Sequence, residues 1–388
     1  MQKVHLTRTK RLHSGHLWIF SNELHESPKN YIPGSLVEVY DMREEFIGAG
    51  YINPNSLIAI RLLTRERKII DRDFLRQRIN AAIALRKRLT GHRDAYRIVY
   101  SEGDYLPGLI ADIYGTCLVL QFLTYGMEAM KDMIIELFDE IINPEIIVLR
   151  NESRVRALEG LMRYKEVVKG SLEKLPVIHE DGLLFEIDPY EGQKTGFFLD
   201  QRDNRVSLKQ YIKDGKGLDL FSYIGGWSMH LASAGAEITC VDSSDRAIAQ
   251  ARRNADLNNL GSRISFAVED VFAFLEQELL KGERRYDFIV LDPPAFVKSA
   301  GKLKEAAKAY REINEMSMRL VKRGGILASS SCSYHMSREL FVDTLNAAAK
   351  NAHRSLRLIE LRSQAPDHPV LLSMPETEYL KCAFLLVD

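Results

Sequence analysis

Cysteine is scarce in this sequence. The four residues, Cys117, Cys240, Cys332 and Cys382, are widely spaced, with no CxxC pair and no histidine cluster beside them. That argues against a zinc centre and against a disulfide framework, and it fits a reducing cytoplasm. Charge of one sign is not in excess either: 53 Lys and Arg stand against 53 Asp and Glu. A polyanionic partner would therefore have to be met by local segregation of charge, not by a field of the whole chain. No apolar run approaches the length of about 20 residues that crosses a bilayer, so no membrane partner is expected. The opening MQKVHLTRTKRLHSGHLW is basic but leads into no apolar stretch, unlike a secretory signal. Internal repeats and low-complexity linkers are missing as well.

What is present is enough apolar material, 46% of 388 residues, for two or three folded domains. The first segment alternates apolar and polar positions between clusters of Pro, Gly and Asn, in HLWIF, SLVEVYD, FIGAGYIN and LIAIRLLT. This predicts short strands and tight turns, a small β-domain or barrel. Lys3, Arg8, Lys10 and Arg11, with His5, His13 and His16, precede Trp18 and Phe20. They read either as a basic arm for nucleic acid or as a solvated terminus. FLRQRINAAIALRKRL places Phe74, Ile79, Ile83 and Leu85 at near-helical spacing among arginines, predicting an amphipathic basic helix that packs domains together. Mixed strands and helices follow to about residue 185. After Lys216 the pattern becomes strand, helix, strand, helix, which predicts a parallel, doubly wound sheet.

That sheet carries the chemistry. GLDLFSYIGGWSMHLA is a strand, a turn with Gly225 and Gly226, and a helix start, which brings a ligand against backbone amides. Asp242 ends the next strand, where a carboxylate accepts hydrogen bonds from ribose hydroxyls. Asp270, with Val271 after it, ends the third, either meeting an adenine amino group or capping the following helix. Phe221, Ser222 and Tyr223 stand where a dinucleotide fold shows its first glycines, so the combination favours S-adenosylmethionine (AdoMet), which has no pyrophosphate to cradle. YDFIVLDPPAF holds Asp292 in a rigid Pro-Pro turn at the same edge, similar to the [Asn/Asp]-Pro-Pro-aromatic element of amino methyltransferases but with Ala295 before Phe296. GGILASSSCSYHMS brings Cys332 out of a strand among hydroxyls. A free cysteine is more often a small buried hydrophobe, and Cys117, Cys240 and Cys382 are read so. A thiolate at Cys332 could instead add to carbon 6 of a pyrimidine and make carbon 5 nucleophilic. His335 is near enough in sequence to tune it, or is simply a surface histidine.

At these residues the sequence resembles the 23S rRNA 5-methylcytosine methyltransferases with an N-terminal PUA domain. The resemblance is carried by HLWIFSNEL, SEGDYLPGLIADIYG, KTGFFLDQRDNR, LDLFSYIGGWS, VDSSDRAI, LDPPAFV, SCSYHMS and APDHPVLLSMPETEYLK, over essentially the whole chain. It implies a β-barrel-like PUA domain at residues 1–72, a central α+β domain at 73–185 and a Rossmann-like α/β methyltransferase domain at 186–388. It implies transfer of a methyl group from AdoMet to carbon 5 of a cytosine in ribosomal RNA, naked or in an assembly intermediate. Cys332 would be the nucleophile and Asp292 would hydrogen-bond the base near ring nitrogen 3. Gln201, Arg202, Phe221, Ser222, Tyr223 and Gly225 would border the cofactor, together with Asp242, Ser243, Asp270, Val271 and Asp292. By charge and spacing alone, Asp200, Arg202, Asp203 and Arg205 would equally suit a salt-bridge cluster. Two other readings stay open: methylation of an exocyclic amine of guanine or adenine with Cys332 structural, and a non-catalytic RNA-binding assembly factor. The oligomeric state is open too, a homodimer included.

Overall fold

The computed structural model describes residues 1–91, 93–296, 301 and 303–388; Val297, the last residue of the LDPPAFV motif, lies outside the described residues. The chain divides into two compact units, one formed by Met1–Ile178, Ile187–Leu199 and Pro366–Thr377, the other by His179–Glu186, Asp200–Ala365 and Glu378–Asp388.

The first unit opens with strands β1 (Gln2–Leu6), β2 (Trp18–Phe20), β3 (Leu36–Asp41), β4 (Phe46–Ile52) and β5 (Ile58–Thr64), with a one-turn helix α1 (Lys10–His13) between the first two. They form one sheet in the order β1-β3-β4-β5-β2. Its core gathers Val4, Leu6, Ile19, Val37, Val39, Ile60 and Leu62. The start of the expected basic arm is thus a strand, because QKVHL alternates and buries Val4 and Leu6. Several of its cations are matched internally: Lys3 with Glu44 at 3.3 Å, and Arg11 with Glu23 at 2.8 Å.

Helix α2 (Arg72–Thr90) begins where the Asp71 carboxylate accepts from the Phe74 amide at 3.0 Å, an N-cap. It buries Phe74, Leu75, Ile79 and Ala82 against a second sheet. That sheet contains β6 (Ala95–Tyr100), β7 (Leu109–Tyr114), β8 (Cys117–Phe122), β9 (Ile146–Asn151) and β10 (Tyr164–Lys169), in the order β10-β9-β8-β7-β6. Helices α3 (Tyr125–Ala129) and α4 (Lys131–Ile142) make the crossover that parallel β8 and β9 require; a one-turn α5 (Val155–Leu158) follows β9. The arginines of α2 serve this packing. Arg72 and Arg76 pair with Glu136 and Glu140 of α4. Arg86 is fully buried, bound to both carboxylate oxygens of Asp104 and donating to the Arg97 and Asp367 carbonyls.

A hairpin, β11 (Val177–Glu180) and β12 (Leu183–Glu186), and helix α6 (Arg202–Leu208) precede the large sheet of the second unit. That sheet has β13 (Lys216–Leu220), β14 (Glu237–Asp242), β15 (Ile264–Val268), β16 (Tyr286–Leu291), β17 (Val321–Ser331), β18 (Leu356–Arg362) and β19 (Lys381–Val387), in the order β15-β14-β13-β16-β17-β19-β18. β13 to β17 run parallel and β19 runs against β17 and β18. Helices α7 (Gly226–Ser233), α8 (Asp245–Leu257) and α9 (Val271–Leu280) alternate with the strands as the sequence rhythm predicts, and α10 (Leu303–Leu320) and α11 (Arg338–Asn351) continue the alternation. β18 and β19 give no such sign. The strand order reverses on either side of β13, which opens a crevice at the carboxyl ends of β13, β14 and β16.

The buried Arg86–Asp104 pair generates a prediction. Arg86→Ala leaves the Asp104 carboxylate buried without its countercharge, so unfolding in urea should show a loss of about 3–5 kcal/mol; a loss below about 1 kcal/mol would make the pair no more than a surface contact.

Candidate active site

Register places the important side chains on one row. Leu220 pairs with Val241 and with Leu291, and Leu291 pairs with Ser329. One residue further on, each strand therefore delivers Phe221, Asp242, Asp292 and Ser330 to the carboxyl edge of the sheet.

Asp292 gathers its neighbours there. One carboxylate oxygen accepts from Gln201 Nε2 at 2.9 Å and the other from the Trp227 indole N–H at 3.1 Å. Gln201 Nε2 also lies 3.2 Å from the Ser330 hydroxyl, and its side-chain oxygen accepts from Asn204 at 2.7 Å. So the QRDNR segment, the GGW helix start and the strand ahead of Cys332 are tied to one group. The Cys332 sulfur lies 4.0 Å from the Pro293 carbonyl oxygen, beside that turn. It is partly exposed, whereas Cys117, Cys240 and Cys382 are buried. Burial pushes the Cys117 and Cys382 thiols up to about 12 and raises that of Cys240 as well. They are inert hydrophobes, and Cys332 differs in setting.

The turn after β13 is built under strain. Phe221 and Tyr223 both take left-handed backbone conformations, with φ of 62° and 51°, each costing about 1–3 kcal/mol for a residue with a Cβ. The Asp242 carboxylate pins this turn, accepting from the Tyr223 amide at 2.9 Å and from the Ser244 amide at 2.9 Å. Gly225 has a φ of 80°, and a Cβ on it would meet the Met229 methyl at 2.9 Å. Its missing side chain serves the packing of α7 as well as the turn. Ser222 and Val271 are buried, while Ser243 and Asp270 are exposed. Asp270 caps α9, accepting from the Phe272 and Ala273 amides at 3.0 and 3.1 Å. Arg202 reaches Glu180 at 4.0 Å.

Four functional groups escaped the motif reading. Glu180 is buried between Arg205, at 2.7 Å, and His230, at 2.9 Å. Burial would raise its pKa, but the Arg205 charge and the His230 hydrogen bond outweigh it and hold the carboxyl at about 2. This ion pair locks α6 to α7 and thereby sets Gln201 and Trp227. Asp219, inside β13, is fully buried; one oxygen accepts from the Ser228 amide and hydroxyl at 3.0 and 2.7 Å, and the other has no hydrogen-bond partner among the described residues. Burial, with some help from the Asp292 and Asp242 charges, pushes its carboxyl up to about 7. Trp227 and Lys381 complete the group. A charged residue within an apolar strand, as in GLDLF and YLKCAF, is the signal that marks Asp219 and Lys381.

This edge fits a nucleoside carrying positive charge. Three carboxylates, an unpartnered buried oxygen and a strained turn favour a ligand whose sulfonium and ammonium charges outnumber its one carboxylate, as in AdoMet.

Comparison with known proteins agrees with that chemistry. The profile of the S-adenosylmethionine-dependent methyltransferase family matches residues 163–376, and that of the PUA-like domain matches residues 3–65. The chain is 35% identical over 383 residues to the ribosomal RNA large subunit methyltransferase I of Pseudoalteromonas atlantica, covering 97% of each protein. It is 37% identical over 384 residues to the protein of the same name from Aeromonas salmonicida, covering 96% of each. A crystal structure of a proposed methyltransferase complexed with SAH shares the fold across the whole of both chains, with a TM-score of 0.87 at 21% identity.

The raised pKa of Asp219 fixes a sign for stability. A carboxyl held above its unfolded value stabilises the fold below about pH 4, and that contribution is lost as pH rises through about 7. The melting temperature of the wild type should therefore fall between about pH 5 and pH 8 relative to Asp219→Asn, whose neutral amide keeps the acceptor. Parallel melting curves for the two proteins would show the carboxyl to be unperturbed.

Proposed function

The chain belongs to the S-adenosylmethionine-dependent methyltransferases that carry a PUA-like domain, the family of ribosomal RNA large subunit methyltransferase I, and on that premise we propose that it methylates carbon 5 of a cytosine in 23S rRNA through a covalent adduct with Cys332. The observation that carries this reading is the placement of a partly exposed thiol 4.0 Å from the Pro293 carbonyl, next to Asp292. In this reading Asp242 and Ser243 serve the ribose, and Asp270 and Val271 the adenine. Gln201, Arg202, Phe221, Ser222, Tyr223 and Gly225 border the rest of the cofactor.

AdoMet supplies an electrophilic methyl group at this edge. The Cys332 thiolate adds to carbon 6 of the base, and the electron pair of the 5,6 double bond makes carbon 5 nucleophilic. Asp292, held by Gln201 and Trp227, orients the base near ring nitrogen 3. As carbon 5 takes the methyl group, the methyl–sulfur bond of the donor breaks and neutral S-adenosylhomocysteine would leave; loss of the carbon 5 proton to water and expulsion of the thiolate then restore the aromatic ring. A base stacked in a duplex cannot reach such a thiol, so the target is unpaired, flipped out or presented on immature RNA. Residues 1–72, as the PUA-like domain, and residues 73–185, as a central domain, would grip that RNA through its phosphates and shape.

The test is incubation of the wild type and Cys332→Ala with labelled AdoMet and unmodified rRNA, followed by digestion and identification of the labelled nucleoside. The expected product is 5-methylcytosine, with turnover lowered about 10⁴-fold or more in the variant and AdoMet binding little changed. Label in a purine, or label that survives the substitution, would move the assignment to an exocyclic amine.

A further inference from the structure

One charged side chain beside Cys332 has no part in that scheme. Lys381 begins β19 and sits opposite Ser331 in the ladder with β17. It is 3% exposed. Its ammonium donates to the Ser333 carbonyl at 2.7 Å and to the Tyr379 carbonyl at 2.8 Å, and both acceptors are neutral. A buried lysine held by two carbonyls retains most of its desolvation cost, which is a reason to look for an anion nearby. The carboxylate nearest to it in sequence, Glu378, is already taken by Arg338 at 2.5 Å.

We propose that Lys381 is a positioning residue for the nucleophile: its buried ammonium pins the carbonyl next to Cys332 and favours the thiolate of that cysteine. The inference rests on the covalent reading above.

The groups around the thiol single out this lysine. Asp292 and the Pro293 carbonyl, from the end of β16, disfavour a thiolate. Arg338 of α11 and Glu378 answer each other, and His335 is exposed to water. Tyr310 of α10 lies 3.2 Å from the Ser333 hydroxyl, and burial with the Cys332 charge pushes its phenol up to about 12, so it stays neutral. Among the described residues, Lys381 is a buried cation whose charge and that of Cys332 act on each other. Burial pulls its pKa down to about 8, and the Cys332 charge is the largest influence in the opposite direction, ahead of Glu378. Fixed on the Ser333 carbonyl, that ammonium is placed to answer a thiolate when the substrate arrives.

The test reads the thiol directly, without RNA. The full chain is alkylated with iodoacetamide across a pH series, and modification at Cys332 is followed by peptide mass spectrometry. Lys381→Gln keeps an N–H donor for the carbonyls but loses the charge, and Lys381→Arg keeps the charge; SAH binding and melting curves check that both fold. The alkylation inflection should rise by about 1 pH unit in Lys381→Gln, roughly tenfold slower modification near neutrality, and stay near the wild-type value in Lys381→Arg. An unshifted profile in Lys381→Gln would overturn the proposal. Should that variant not fold, the wild type alone decides: an inflection at or above the ordinary thiol value of about 8.5 overturns it, and one below supports it. Because no methyl transfer is involved, this outcome is independent of which nucleoside carries the label.

Discussion

Everything in the second unit converges on the fact that parallel strands end together. Five strands running the same way present their last residues on one edge, and the reversal of strand order at β13 keeps that edge open between β14 and β16. The Asp292 carboxylate turns this geometric constraint into a site. By accepting from Gln201 and from Trp227, it fixes two segments that the sheet alone would leave to their loops. The Glu180, Arg205 and His230 cluster supports the same two segments from behind, so the site is held both at its face and at its foundation.

The distribution of charge at this edge has a physical logic. Burial above all, with a smaller part from the Asp292 and Asp242 charges, raises the pKa of the Asp219 carboxyl. Such an arrangement is unfavourable in an empty protein and becomes favourable with a cation bound. The strained residues Phe221 and Tyr223 follow the same logic: left-handed backbone at non-glycine positions persists where surrounding hydrogen bonds over-determine it, here those from the Tyr223 and Ser244 amides to Asp242.

Much of this was legible in the amino-acid order. The β-α alternation after Lys216 is a local pattern, and the family resemblance and the doubly wound sheet follow from it and from motifs a few residues long. LDLFSYIGG, VDSS and LDPP name the turns, and the sheet register brings them to one edge. Long-range pairing was not legible. Nothing near GGWS indicates that Trp227 reaches a carboxylate 65 residues later, nor does HEDG indicate that Glu180 meets Arg205 and His230. Lys3, His5 and Arg11 suited either a nucleic-acid arm or a solvated terminus because their partners, Glu44, Glu26 and Glu23, act between segments that composition cannot order. The place of β19 in the sheet was not legible either, because the strand-helix alternation stops before it.

That last strand has a temporal meaning. β19 lies between β17 and β18 in the sheet although it follows both in the chain. A growing polypeptide that has released β18 but not β19 carries a parallel sheet with an unpaired edge at β17, and β18 has nothing to pair with. Cys332 is then already outside the ribosome, but the lysine opposite its strand is not. The Ser333 carbonyl, next to Cys332, therefore gains its buried ammonium partner only once the last strand is in place.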